Sequence, residues 1–226
     1  MLSNLGLVPF ILLFFLSVIA CKGSLPEHEL KHPEILNDDG DGFVVIAHRG
    51  ASAYAPENTL AAFQKAIDME AEMIELDVMM TRDSVPVVFH DAKLDKLTDS
   101  TGLFSELSLK DVKRLEAGNW FDEEFAGEPI PTLDEALKFL SGKISVNIEI
   151  KTEGVTDEAR GGVEEKALTL VRKYNMEDQV IFSSFDYRAV RHLKELQPDI
   201  PVAVLYEAKQ SGNKSPIEIV HELKAD

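Results

Sequence analysis

The sequence predicts an α/β protein of the TIM-type β/α barrel class, with a small insertion after an early strand and about six of the eight β/α units of a closed barrel. Three observations carry that expectation. From Phe43 onward, short apolar runs alternate with helical patterns, the signature of parallel strands joined by crossover helices. Within the strand patterns, branched apolar residues occupy one face and polar residues the other. The polar faces carry charges near the strand ends, where barrel enzymes build their sites.

The composition sets the outer limits. A chain of 226 residues with 45% hydrophobic and 28% charged residues and no low-complexity tract has the profile of one globular domain. With 40 acids against 23 bases, its formal charge of -17 argues against a nucleic-acid partner. Phosphate chemistry on such a chain requires a metal or a few placed cations.

The N-terminal stretch MLSNLGLVPFILLFFLSVIAC has no charged side chain, and its apolar run from Leu5 to Ala20 is short for a membrane span. Residues 1–20 are read as an export signal. Val18, Ile19, Ala20 and Cys21 resemble the bacterial lipobox, which implies cleavage before Cys21 and lipid attachment to its thiol. Cys21 is the sole cysteine, so no intramolecular disulfide accounts for its position. The alternatives are an ordinary cleaved signal or an uncleaved anchor. On the lipobox reading, residues 21–42 are a flexible tether, residues 43–226 the catalytic domain, and the protein is lipid-anchored at the bacterial cell envelope.

FVVIA, Phe43 to Ala47, is the first expected strand, and a helix follows from about Asn58, which can cap it, with Leu60, Phe63 and Ile67 at helical spacing. EMIELDVMM then places Ile74, Leu76 and Val78 on one strand face and Glu75 and Asp77 on the other. Two neighbouring carboxylates repel in a protein interior unless a cation lies between them. Either this strand is a wet edge, or it lines a cation site. VPVVFH, Val85 to His90, is a third strand.

The polar stretch from Asp91 to Pro131 is read as the insertion, with a short helix capped by Ser108 and Asp111 and ending near Gly118. Thr132 and Glu135 form a capping box for a helix running to Gly142. ISVNIEIK follows in strict alternation: Ile144, Val146, Ile148 and Ile150 on one face, Ser145, Asn147, Glu149 and Lys151 on the other. Helices through Val163 to Val171 and Val190 to Leu196, strands at Val180 to Ser183 and Val202 to Leu205, and a helix opened by Ser215, Pro216 and Glu218 complete the pattern.

His48 and His90 both fall at strand ends, where imidazoles that titrate near neutrality can act as general acid and general base. Glu75, Asp77 and Glu149 converge as an all-oxygen set suited to calcium or magnesium and not to zinc or copper. Arg49 and Lys151 are left to hold a phosphate, or to pair with those same carboxylates.

The ordered set HRG, PENT, IELDV, VPVVFHD and IEIK is similar to that of the glycerophosphodiester phosphodiesterase family, over about Val45 to Leu205. The resemblance implies a β/α barrel with an inserted subdomain and hydrolysis of glycerophosphodiesters, such as deacylated phospholipids, to sn-glycerol 3-phosphate and an alcohol. It implies His48 and His90 as the acid/base pair, Glu75, Asp77 and Glu149 as ligands of one Ca2+ or Mg2+, and Arg49 and Lys151 as phosphate contacts. Glu57 and Asn58 are expected to fix the turn beside the site. The nucleophile is water, or the neighbouring glycerol hydroxyl by way of a cyclic phosphate. The runners-up are a related barrel phosphodiesterase acting on another lipid head group and a non-catalytic phosphate-binding lipoprotein.

Two departures from the family pattern stand out. Ser84 occupies a hairpin position where family members often have glycine. After Leu205 the family continues with two more strands, one bearing a tryptophan-containing motif; Trp120, in the insertion, is no replacement for it. The chain is therefore expected to be a fragment or the product of a truncated reading frame.

Overall fold

The computed structural model describes residues 44–226; the expected export signal and tether, with Cys21, and Phe43 of the first expected strand lie outside the described residues. The strands are β1 (Ile46–His48), β2 (Met73–Met80), β3 (Pro86–Val88), β4 (Ser145–Ile150), β5 (Val180–Ser184) and β6 (Val202–Val204). The helices are α1 (Leu60–Asp68), α2 (Leu109–Val112), α3 (Leu133–Leu140), α4 (Val163–Lys173), α5 (Tyr187–Leu196) and α6 (Pro216–Leu223). Among the described residues no helix is long and apolar enough to cross a membrane.

All six strands belong to one sheet, in the order β1, β2, β4, β5, β6, with β3 paired to β2 beside that path. The five strands on the path are parallel, as barrel units require. The third strand differs from the expectation. β3 runs antiparallel to β2, pairing Val88 with Val78 and Pro86 with Met80, so it is a hairpin return and not a β/α unit. The cause is the short turn at Thr81 to Val85, too short for a crossover helix, where Ser84 takes φ 63°.

The outward side chains of the parallel strands and the inward faces of the helices form the main core. Ile74, Leu76 and Val78 of β2, Val146, Ile148 and Ile150 of β4 and Phe182 of β5 are almost fully buried there against Phe63, Leu137, Val171 and Leu193. Burial of each such side chain stabilises the fold by about 1.5–3 kcal/mol. The expected capping box is present at Thr132 with Glu135, and the helix opened by Ser215 and Glu218 starts with one as well.

Two expected boundaries move. α1 is capped by Thr59, not Asn58: the Thr59 hydroxyl accepts from the Ala62 N–H. α2 begins at the Ser108 and Asp111 box but stops at Val112, well before Gly118. The insertion has its own core, in which Leu94, Leu97, Phe104, Val112 and Ile130 pack with Met79, Val87 and Phe89 of the hairpin. Phe89 stacks on Phe104 with ring centroids 5.0 Å apart. Trp120 stays within the insertion, its indole N–H donating to the Ala117 carbonyl at 2.8 Å.

Candidate active site

The carboxyl ends of β1, β2 and β4 gather the charged residues. β2 is flanked by β1 and β4 and buried from Met73 to Met79, so Glu75 and Asp77 do not line a wet edge. Of the two sequence alternatives, the wet edge is excluded: the two carboxylates line a buried interior. Parallel register sets Glu75 beside Asn147 and Asp77 beside Glu149, placing all four side chains on the inner face. One carboxylate oxygen each from Glu75, Asp77 and Glu149 lies within 4.8 Å of the others.

Crowding of these carboxylates has an electrostatic consequence. Burial, and then the Asp77 charge, push the Glu75 carboxyl up to about 8. Glu75 Oε1 is moreover buried with no hydrogen-bond partner among the described residues. An acidic set of hard oxygens with an orphaned carboxylate oxygen fits a divalent cation of the calcium and magnesium class, which would satisfy that oxygen and reverse the repulsion.

Arg49 is fixed by its backbone. The HRG segment turns sharply after β1, with φ 57° at Arg49 and 78° at Gly50. A side chain at Gly50 would come within 2.8 Å of the Ala62 backbone in α1, so only glycine fits. The left-handed Arg49, a conformation that costs a non-glycine residue about 1–3 kcal/mol, aims its N–H at Glu75 Oε2, 2.8 Å away. Its guanidinium donates to Glu57 at 2.8 Å, and its Nε lies 3.3 Å from Asp77 in ion-pair contact.

Lys151 follows β4 and reaches Glu149 at 2.9 Å and Asp77 at 3.5 Å. Burial opposes its charge, but Asp77 and Glu149 outweigh that and raise its pKa. Both cations thus pair with the carboxylates, while lining the same site where a phosphate would need them.

His48 ends β1 with its side chain 67% exposed and its Nε2 3.9 Å from Glu75 Oε2. The water it loses toward the sheet and the neighbouring Arg49 charge lower its pKa, against the pull of Asp77, Glu57 and Glu149. His90 arrives by the hairpin: the Phe89 N–H bonds the Asp77 carbonyl at 3.1 Å, which fixes the next residue beside the end of β2. The two histidines are therefore placed by strands of opposite direction.

Two residues contribute more than their sequence reading assigned. Asp91 Oδ1 is bonded to His90 Nδ1, a carboxylate contact that favours the tautomer protonated at Nδ1. Asn58, at φ 60°, donates through its side-chain amide to Asp77 Oδ2 at 2.9 Å and accepts from the Asp77 N–H at 3.2 Å. The adjacency in FHD was the available signal for Asp91. No local pattern marks Asn58 as a partner of a residue in the next strand.

An acidic cluster that could hold a metal, with imidazoles near it at the carboxyl ends of parallel strands, is the arrangement of a β/α-barrel enzyme. The glycerophosphoryl diester phosphodiesterase family model matches residues 48–222, and the chain belongs to that family. It is 43% identical over 165 residues to a glycerophosphodiester phosphodiesterase of Caldanaerobacter subterraneus, covering 73% of this chain and 67% of that one. It is 36% identical to one from Bacillus subtilis, covering 76% and 62%. An Oleispira antarctica phosphodiesterase solved with the product sn-glycerol-3-phosphate superposes with TM-score 0.68 at 35% identity, covering 81% of this chain and 72% of that one. The chain thus spans about two thirds of the length of these relatives.

Proposed function

We propose that this protein hydrolyses glycerophosphodiesters to sn-glycerol 3-phosphate and an alcohol, using one divalent cation, Ca2+ or Mg2+. The observation that carries the reading is the meeting of Glu75, Asp77 and Glu149 within 4.8 Å, with His48 Nε2 3.9 Å from Glu75 and the Asp91-braced His90 next in sequence to Phe89, whose N–H bonds the Asp77 carbonyl. Family membership and the product held by the Oleispira relative support the substrate class.

Glu75, Asp77 and Glu149 would hold the cation, which when bound polarises a phosphoryl oxygen and offsets the three carboxylates. Arg49 and Lys151 then face the other phosphoryl oxygens, Arg49 as a planar fork and Lys151 as a point charge. In an in-line displacement one imidazole takes the proton of the attacking hydroxyl and the other returns a proton to the departing alkoxide. Asp91 would prepare His90 for that exchange by holding Nδ1, which keeps Nε2 for the proton.

The test is release of glycerol 3-phosphate from glycerophosphocholine by this chain with Ca2+ or Mg2+, with EDTA, and with His48→Asn. Release that needs the metal and His48 is the expected result. Release of phosphocholine instead, or turnover confined to sphingolipid or phosphoinositide substrates, would reassign the protein to a related phosphodiesterase. Binding of the phosphate ester without turnover would make it a carrier.

We propose further that the protein is exported and lipid-anchored through Cys21, a reading supported by the apolar run from Leu5 to Ala20 and the Val18 to Cys21 sequence. Labelled fatty acid should be incorporated by the wild type and not by Cys21→Ala, and a wild type that takes up no label would refute the lipid anchor.

A further inference from the structure

Four of the six buried polar side-chain atoms without a hydrogen-bond partner among the described residues belong to site-lining residues: Arg49 Nε, Glu75 Oε1, Asn147 Oδ1 and Ser183 Oγ. Buried polar atoms are seldom left unpaired, so such a concentration marks a place built for a ligand. Two of the four atoms are of particular interest. Glu75 and Asn147 are register partners on the inner face of β2 and β4, and each presents an orphaned acceptor oxygen.

Ser183 has an ordinary escape, since it is the register partner of Glu149 and its hydroxyl can rotate to donate. Asn147 Oδ1 belongs to the register neighbour of Glu75; a bound cation would satisfy both orphaned oxygens at once, whereas a turned-over amide or a proton on Glu75 would pair the two side chains with each other. Asn147 makes no side-chain hydrogen bond among the described residues, although β4 is otherwise tied on both sides to β2 and β5.

We infer that Asn147 supplies a fourth, neutral oxygen to the divalent-cation site formed by Glu75, Asp77 and Glu149. This rests on the cation reading above and adds a ligand to it. Calcium takes six to eight oxygens and uses side-chain amides readily, so a neutral fourth oxygen raises the coordination without adding to the repulsion among three carboxylates.

Calorimetric titration of the full chain with calcium chloride tests the assignment, with circular dichroism as the folding control. Asn147→Leu should weaken calcium binding by about 10-fold or more, the loss typical for a group that holds a metal site together. Asn147→Asp, which keeps an oxygen in place, should bind calcium at least as tightly as the wild type. Wild-type affinity in Asn147→Leu would overturn the assignment of Asn147 and leave the carboxylate site standing. Equal loss in both variants would also overturn it, because it would show that the amide N–H donates to Glu75. Should the leucine variant fail to fold, Asn147→Ala replaces it against Asn147→Asp with the same two outcomes. Failure of the wild type itself to bind Ca2+ or Mg2+ would remove the cation reading and this inference together.

Discussion

Asn58 grips Asp77 from both ends, donating to its carboxylate at 2.9 Å and accepting from its backbone N–H at 3.2 Å. Asp77 is 1% exposed, so neither group has water as a substitute. Asn58→Leu should cost about 1–3 kcal/mol of stability, as expected for buried groups left unpaired. It should also reduce cation affinity and turnover by roughly 10–100-fold, since the ligand it orients is loosened. Urea unfolding and calcium titration of the variant check both, and unchanged values would show that Asp77 is held without it.

The raised Glu75 carboxyl makes stability depend on pH. Its folded value of about 8 lies above the 4.5 of an ordinary glutamate, so across that window the folded chain binds more protons than the unfolded chain. Stability therefore falls as pH rises through it, by at most about 1.4 kcal/mol per pH unit. Denaturant midpoints measured in EDTA should decline from about pH 5 to about pH 8, and Glu75→Gln should flatten the slope. Added calcium should abolish it as well. A wild-type midpoint that climbs over this range would contradict the crowding of the carboxylates.

Loss of either imidazole should be felt in the chemical step. His48→Asn and His90→Asn are each expected to lower kcat by about 10²–10⁴-fold with little change in calcium affinity. Asp91→Asn should cost less, roughly 10–100-fold, and should shift the pH profile, because it acts only through the His90 ring. A loss of calcium binding in the histidine variants would reassign them to the metal shell.

Ser84 is exposed at the hairpin tip with φ 63°, a conformation disfavoured for residues with a Cβ. Ser84→Gly should stabilise the fold by about 0.5–1 kcal/mol, the left-handed cost of serine being partly offset by the greater chain entropy of glycine. Thermal unfolding reads the difference. A lower midpoint would mean that the serine hydroxyl anchors the turn.

Away from the site, the fully buried Glu164 of α4 meets His192 of α5, with Oε1 2.9 Å from Nδ1. His192→Leu leaves a buried carboxylate without its partner and should destabilise the fold by about 3–5 kcal/mol. Activity per folded molecule should be unaffected. Wild-type stability would show that Glu164 does not depend on His192.

Much of the site was legible because strand alternation is a local property. Once EMIELDVMM and ISVNIEIK are strands, Glu75, Asp77, Asn147 and Glu149 must leave the apolar face, and the apolar face must go to the helices. Capping boxes at Thr132 and Ser215 were readable for the same reason, since a cap involves residues three apart. The direction of β3 was not evident from its composition. A run such as VPVVF is equally apolar in either sense, and only the brevity of the turn before it dictates the return. Asn58 was misread as a cap because its partner, Asp77, is 19 residues away.

The sequence by itself determined which residues face inward, which helices can start where, and which family the motifs resemble, because each follows from periodicity or ordered spacing within a few residues. The tertiary structure decided that β2 lies between two neighbours, that Arg49 and Lys151 pair with the carboxylates, that Asn58 holds Asp77 and that Asp91 holds His90. Those outcomes depend on strand order and on atoms brought together across long stretches of chain, and no local pattern encodes the free energy of contacts that exist only after the sheet has formed.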